Sequence, residues 1–541
     1  MNGKMQRMHS SASNTSYDRD CVARLVASNE ALEQRNQQLQ EDNQQLCARV
    51  DELHRQVEFF KRQLFGSKSE KRLIIDPAQT GLLFDELPKT EGPEPTEQIS
   101  YTRRKTKDRT GAMTDSGLRF GEDVPVETIE VTDPQIEAIP PEHREVISEE
   151  VSHRLAQRPA SFVILKYIRP VVKDQRDQKL HTAPAREAVL ENSIADVSFL
   201  AGMLVDKFCF HLPLYRQHQR LALAGITLSR ATLTNLSQRV IELLKPIHDA
   251  QLKHILQSRV LAMDETPIRA GPSKKTRGKM HQGWYWPVYG ENDEISFIYS
   301  PSRGADVVKH ALGEHFNGVL VTDGYAAYGK YAASRPAVTA ANCWAHTRRQ
   351  FEQAKDHEPE AVAEALRIIG RLYSIERELN EEQLVGQARL ARRQKESQPV
   401  VEAFWKWCEG QRNRMDLVPS NPLAKALKYA FERVEELQVF LGDPDVPIDT
   451  NHLERALRAI PMGRKNWLFC WTELGARHVG VIQSLLTTCR LHGVNPHTYL
   501  VDVLQRISRH PASRVEELTP RIWKDKFATD PLRSDLDRAR Q

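Results

Sequence analysis

A leucine stands at every seventh position from residue 25 to residue 53, as Leu25, Leu32, Leu39, Leu46 and Leu53, and Phe60 takes the sixth place. Three residues ahead of each lie Val22, Asn29, Asn36, Asn43, Val50 and Val57. Few conformations can use such spacing. On a helix it draws one narrow apolar seam, too narrow to cover a globular core and suited to a second helix. Asn at three successive a positions pairs across a parallel dimer, disfavours trimers and costs stability. The stretch 20–64 therefore reads as a leucine-zipper coiled coil joining two or more copies, with a Gln-rich solvated helix or disorder as the bland alternative. Its end, Phe65-Gly66-Ser67-Lys68-Ser69-Glu70-Lys71, combines a glycine with a basic cluster. Cations there suit the helix dipole, or Arg62, Lys68 and Lys71 contact phosphate.

The chain has 541 residues, enough for three to four folding units, and 40% hydrophobic against 27% charged residues allow real cores. No apolar run approaches the roughly 20 residues of a membrane span. The best, Val197 to Val205, is closed by Asp206 and Lys207. Met1 to Arg19 is Ser/Asn-rich without an apolar segment, so no secretion is expected. Seven dispersed cysteines without a Cys-x-x-Cys pair fit a reducing cytoplasm. A net charge of +4 selects no partner, so the local distribution has to be read.

Prolines 77, 88, 93 and 95 among acids mark a linker, and 65–120 reads as a basic cluster plus this flexible stretch. Arg103-Arg104-Lys105, with Lys107 and Arg109, is a solvated basic run or a nucleic-acid contact. The β-branched residues gather over 121–175, a strand-rich module with Phe162-Val163-Ile164-Leu165 as its clearest strand. The stretch 180–256 is helical. Leu212 to Leu223, Gly225, Ser229 as N-cap, then Leu233, Leu236, Val240 and Leu243 at helical spacing have the shape of a helix-turn-helix. Arg230, Thr234, Asn235 and Arg239 would face outward from its second helix and read DNA. A plain helical hairpin is the alternative.

Val260-Leu261-Ala262-Met263-Asp264-Glu265 is a short apolar strand ending in acids, and Val319-Leu320-Val321-Thr322-Asp323 repeats the pattern. Between them come strand candidates Trp284 to Tyr289 and Ile295 to Tyr299, then a helix near Ala305 to Phe316. Three strands, a helix and a further strand is the order of a ribonuclease-H-like α/β core over 257–350, in which acids ending the first and fourth strands meet at one sheet edge. A third acid, Glu454, borders the buried stripe Leu453, Leu457 and Ile460 of a helix within 442–480. The intervening 351–441 reads as a helical insertion, and 481–541 as a helical C-terminal region. Singly, Asp264 or Asp323 could end a strand in a turn, and Glu454 could join a capping box with Asn451 or pair with Arg458. Glu265 rivals Asp264, because neighbours on a strand face opposite sides.

Jointly, three carboxylates suit phosphodiester chemistry. Two Mg²⁺ about 3.5–4 Å apart activate the attacking oxygen and offset charge on the leaving one. Mg²⁺ keeps several waters, so a few carboxylates suffice, and their mutual repulsion leaves such sites unmade without metal. Cys343-Trp344-Ala345-His346-Thr347-Arg348-Arg349 follows the fourth strand. A lone Cys-x-x-His pair is a weak zinc signal, and His346, Arg348 and Arg349 read better as residues that brace the acids or touch DNA. Arg455, Arg458, Arg464 and Lys465, with Trp467, suit a phosphate backbone and a stacked base or sugar, against a solvated basic surface.

These segments resemble the transposases of the insertion sequence 66 family, a bacterial branch of the DDE type. The resemblance rests on Asp264-Glu265-Thr266-Pro267, Asp323-Gly324-Tyr325, the Trp344/His346/Arg348/Arg349 motif, and Asn451-His452-Leu453-Glu454-Arg455-Ala456-Leu457-Arg458 with Gly463-Arg464-Lys465-Asn466-Trp467. It extends to Phe65 through Lys71, His211 through Arg216, and Asn495 through Leu500, and so spans about 20 to 510. It implies a leucine-zipper N-terminus, a ribonuclease-H-like core, and a catalytic, metal-holding triad of Asp264, Asp323 and Glu454 that uses Mg²⁺, with Mn²⁺ able to substitute. The implied partners are double-stranded element ends and target DNA, further copies of the chain, and accessory proteins of the same element, in a bacterial cytoplasm at the nucleoid. One departure stands out. The family usually carries a Cys-paired zinc segment after the zipper, but no cysteine lies between Cys47 and Cys209, so no zinc is expected. The expected activity is cleavage at element ends and transfer of the 3′ hydroxyls to target DNA. A nuclease without strand transfer and a non-catalytic dimeric regulator are the rivals.

Overall fold

The computed structural model describes residues 117–538, apart from 123, 159–160, 177, 192 and 274–278, together with Gln37. The chain divides into two units, Met1–Arg104 and Lys105–Gln541. The expected coiled coil at 20–64, apart from Gln37, and Lys68, Lys71 and most of the 65–120 linker lie outside the described residues. No described helix is long and apolar enough to cross a membrane.

The strand-rich stretch forms a four-stranded sheet. Strand β1 (Arg119–Phe120) lies apart, and β2 (Val126–Glu130), β3 (Arg144–Arg158), β4 (Ser161–Asp174) and β5 (Leu180–Thr182) make the sheet. Strand β4 is central, antiparallel to β3, with β2 parallel and β5 antiparallel on its other edge. Alternation divides its side chains between two faces. Val163, Leu165 and Tyr167 close a small core with Leu536 of the C-terminal segment, while Ile164 joins the main core. The Tyr167 hydroxyl donates to Asp535 at 3.0 Å, which ties the end of the chain to this sheet.

Helix α1 (Val197–Phe208) is the apolar run of the sequence, and it is capped by Asp196, whose carboxylate accepts from the Ser198 N–H. Helix α2 (Leu214–Leu223) ends in a turn at Gly225, where φ is +76°. Strand β6 (Ile226–Thr227) then pairs with β1, and α3 (Arg230–Ile255) begins under a Ser229 cap. Helix, turn and helix follow as the spacing suggests. The second helix runs much further: its first turns expose Arg230, Thr234 and Asn235, whereas Leu244, Ile247, Gln251 and Ile255 are buried. Arg239 is half-buried and donates to the Glu191 carbonyl at 3.4 Å.

The main sheet has the strand order β10 (Ile295–Ser300), β9 (Met280–Tyr289), β7 (Val260–Met263), β11 (Gly318–Thr322), β12 (Val338–Asn342), and β8 (Thr266–Pro272) also pairs with β9. The β10/β9/β7 side is antiparallel and β7/β11/β12 is parallel. All four residues of β7 are buried, as parallel strands covered on both faces must be. Helices α4 (Ala305–Leu312) and α5 (Ala326–Ala333) contribute to the core on one face. Three features differ from the reading of the sequence. Helix α4 stops at Leu312 because Gly313 takes φ +70°, Thr266–Pro272 is a strand of its own, and β12 extends the parallel side.

Helix α6 (Trp344–Glu352) leaves the end of β12, and 351–441 is largely helical through α7 (Pro359–Glu381), α8 (Gln398–Arg412) and α9 (Pro422–Phe431). The fully buried Arg393 holds Glu376 of α7 at 2.8 Å and donates to the carbonyls of Phe440 and Val446. It thus pins the segment that leads into α10 (Asn451–Leu457), since a buried guanidinium needs every donor satisfied. Helices α11 (Ala459–Trp467) and α12 (Glu473–Leu491) follow. Helix α12 lies against β10 so closely that a Cβ at Gly480 would meet the Phe297 carbonyl at 2.4 Å, so glycine is required there.

Candidate active site

Strands β7 and β11 run parallel in a register that pairs Val260 with Val319, Leu261 with Leu320 and Ala262 with Val321. That offset, 319 − 260 = 59, is also the spacing of the acids, 323 − 264 = 59. Continued past the strand ends, it sets Asp264 opposite Asp323 on neighbouring strands, which lie about 4.8 Å apart. Period-2 alternation decides which face each acid serves. Val260, Ala262, Val319 and Val321 enter the core that holds Trp344, Leu453 and Leu457, whereas Leu261, Met263 and Leu320 enter the one that holds Tyr328. Asp264 and Asp323 continue the first set. Glu265 continues the second.

The hydrogen bonds agree. The Glu265 side chain is 2% exposed; it accepts from the Tyr328 hydroxyl at 2.6 Å and pairs with Arg303 at 2.5 Å. Arg303 lies over the rings of Trp284 and Tyr325. The rival acid is therefore committed to a tie between β8, α5 and the Arg303 loop. Asp264 accepts from the Glu265 N–H at 2.7 Å and Asp323 from the Tyr325 N–H at 2.8 Å, which turns each carboxylate at its strand end. The Tyr429 hydroxyl donates to the Asp323 carbonyl, and Arg433 packs on Gly324 (φ +84°), where a Cβ would stand 2.3 Å from its Nε. A side chain at 324 would displace Arg433 and the turn that aims Asp323.

Glu454 reaches the first face from α10. Neither local role for it is observed: its N–H donates to the Thr450 carbonyl in the helix, and Asn451 bonds Asp449 instead. Its carboxylate lies 3.5 Å from His346 Nε2 and 3.4 Å from Arg349, both on α6. The Thr450 N–H donates to the buried Cys343 sulfur at 3.3 Å, which locks the starts of α6 and α10 together. Arg348 turns away to Glu352 of its own helix at 2.8 Å. Burial pushes the Asp264 carboxyl up to about 7, and the charges of Asp323, Glu265 and Glu454 add to the shift. Burial also holds the His346 imidazole below its ordinary value, against the pull of Glu454.

Among the described residues no group of three or more His, Cys, Asp or Glu side chains is placed to hold a metal ion. The donor chemistry at the strand ends nevertheless suits one. Carboxylates are hard-oxygen donors of the kind Mg²⁺ takes, the charges of Asp323 and Glu454 are felt at Asp264, and Glu454 Oε1 is buried without a hydrogen-bond partner among the described residues. His346 and Arg349 pair with the Glu454 carboxylate from α6. Around the acids, the Arg464 guanidinium donates to the Pro267 carbonyl, while Arg455, Arg458 and Lys465 are exposed. Reading the sequence missed Arg303, Tyr328, Tyr429 and Arg433. Only strand parity, applied to Glu265, could have pointed to the first two.

Residues 192–478 match the family model described as "Transposase IS66 family", 484–521 match "IS66 C-terminal element", and 52–189 match "Transposase C of IS166 homeodomain". The chain is 32% identical over 496 residues to the uncharacterized protein y4jD of Sinorhizobium fredii (strain NBRC 101917 / NGR234), a match covering 88% of this chain and 95% of that one. The uncharacterized protein y4hP of the same strain is 31% identical over 405 residues, covering 70% and 71%. With more than half of its length inside one family model and a relative matched almost end to end, the chain belongs to the IS66 family of transposases.

Proposed function

We propose that the chain is a DDE-type DNA transposase with a ribonuclease-H-like core, which cuts at the ends of its element and joins the 3′ hydroxyls to target DNA. The observation that carries this reading is the shared register of Asp264 and Asp323 at the ends of β7 and β11, with Glu454 on the same face. The antiparallel–parallel strand order β10-β9-β7-β11-β12 supports the fold part of the proposal. Asp264, Asp323 and Glu454 would hold divalent cations, Mg²⁺ or Mn²⁺, which when bound lower the pKa of the attacking oxygen and offset charge on the leaving one. His346 and Arg349 position Glu454. Arg303 and Tyr328 keep Glu265 out of the site, and below about pH 7 Asp264 carries a proton that it must release before it can serve as an anionic donor. Arg455, Arg458 and Lys465 hold the DNA backbone, while Arg230, Asn235 and Arg239 on α3 read the element ends. The heptads at 20–64 pair two copies, so that two ends are held together.

Asp264→Asn, Asp323→Asn and Glu454→Gln should each abolish Mg²⁺-dependent cleavage while leaving DNA binding intact. Near-wild-type cutting by any of the three would remove that residue from the triad. A joined product in the wild-type reaction separates a transposase from a nuclease that only cuts.

A further inference from the structure

A loop beside these acids presents aromatic surface to solvent. Between α11 and α12 the chain turns at Leu468, where φ is +61°, a conformation that a branched residue rarely holds. It then runs beside β8: the Cys470 N–H donates to the Arg269 carbonyl at 2.9 Å and the Gly271 N–H to the Cys470 carbonyl at 3.0 Å. Cys470 is buried beneath this bridge, so the next residue points outward. Trp471 is 77% exposed and Leu468 63%, and Phe469 braces Trp471 edge-on with ring centroids 5.0 Å apart. An indole held out on a pinned backbone has lost little contact area to its own fold.

Its surroundings are basic. Arg269, Lys465 and Arg477 are exposed and make no hydrogen bond or ion pair from their side chains among the described residues, against one acid, Glu473, at the first position of α12. Strand β8 fixes the distance to the acids. From Asp264 to the bridge at Ala270 is six residues, roughly 20 Å of extended chain at most, or about six nucleotide steps along one DNA strand.

We propose that Trp471 stacks on an unpaired or unstacked DNA base within about six nucleotides of the scissile phosphate, with Lys465, Arg269 and Arg477 holding the adjoining backbone. The proposal rests on the reading of the strand-end acids as a DNA-cutting centre. Stacking on an indole is tolerant of sequence, because every base has a π-face. Trp471 therefore favours DNA that is frayed or distorted at the cut over DNA that is fully paired.

The test uses the full chain and two fluorescent DNA probes of equal length, one fully paired and one forked with a six-nucleotide single-stranded arm. Wild type should prefer the forked probe, and Trp471→Ala should bind it about five- to 150-fold more weakly, the equivalent of ~1–3 kcal/mol for one stacked base, with little change on the paired probe. Trp471→Phe should keep most of the preference, and Lys465→Ala should weaken both probes alike. An unchanged forked-to-paired ratio in Trp471→Ala overturns the proposal and leaves the transposase reading standing. So does a ratio that is unmoved while Trp471→Ala shifts the sedimentation coefficient, which would make the loop a contact between copies. Failure of the wild type to bind either probe would sink both readings.

Discussion

The most exacting consequence of the acid cluster is a stability that depends on pH through one side chain. Asp264 is raised from 3.8 to about 7, first by burial and then by Asp323, Glu265 and Glu454. A carboxyl whose folded value lies above its unfolded value binds its proton more tightly in the fold, so the fold is favoured at low pH. Below about pH 4 both states are protonated and nothing is lost. Between about pH 4 and 7 the unfolded chain releases the proton while the fold retains it, and stability declines with rising pH. Above about 7 both are ionised and the decline levels off. Three units at 1.36 kcal/mol each give a loss of about 4 kcal/mol across that window. Asp264→Asn removes the titration, so its stability relative to wild type should rise by about that amount between pH 4 and 8. Urea midpoints followed by tryptophan fluorescence measure the difference, and groups that titrate in both proteins cancel. Mg²⁺ at a hundred times its Kd should restore about 2.7 kcal/mol to the wild type at pH 8 and much less to the variant. Parallel pH curves for the two proteins would refute the reasoning. They would mean that Asp264 is solvated and that the three acids do not share one field.

Glu265→Gln should behave in the opposite way, losing about 1–3 kcal/mol of stability from the charged bonds to Arg303 and Tyr328 while keeping a measurable part of the cleavage rate; thermal melts and a nicking assay check the pair of effects. Lys465→Ala should flatten the slope of log affinity against log salt by about 0.9, whereas Arg464→Ala should change it less, because that guanidinium is occupied by the Pro267 carbonyl. In the same titrations Arg230→Ala or Asn235→Ala should reduce the preference for element ends over scrambled DNA. An isolated 20–64 peptide should sediment as a dimer that tightens when Asn36→Val removes a buried polar pair, and a monomer at high micromolar concentration would remove the zipper from the argument.

What could be read in advance follows the range of the interactions involved. The positions of Asp264 and Asp323 were legible because strand patterns are local: a run of buried aliphatics ending in an acid announces its own end. Their meeting was also written in the chain, since a spacing of 59 equals the register offset of β7 and β11. Yet that equality has meaning only once the two strands are known to be parallel neighbours. The choice between Asp264 and Glu265 needed one further fact, the face on which α6 and α10 lie, and no local pattern carries it. Glu454 on α10 comes 131 residues after Asp323 (454 − 323), across an insertion whose docking depends on the buried Arg393 and its carbonyl partners. Arg303, Tyr328, Tyr429 and Arg433 escaped notice for the same reason. Each acts on an acid, or on its neighbour, from another element, and on its own stretch each looks like an ordinary surface arginine or core tyrosine. The candidate acids at the strand ends are thus locally marked, while the residues that aim them, and those that hold Glu265 aside, are set by tertiary packing. Substitutions at Tyr328 or Arg433 should accordingly alter the geometry at the strand ends without touching an acid.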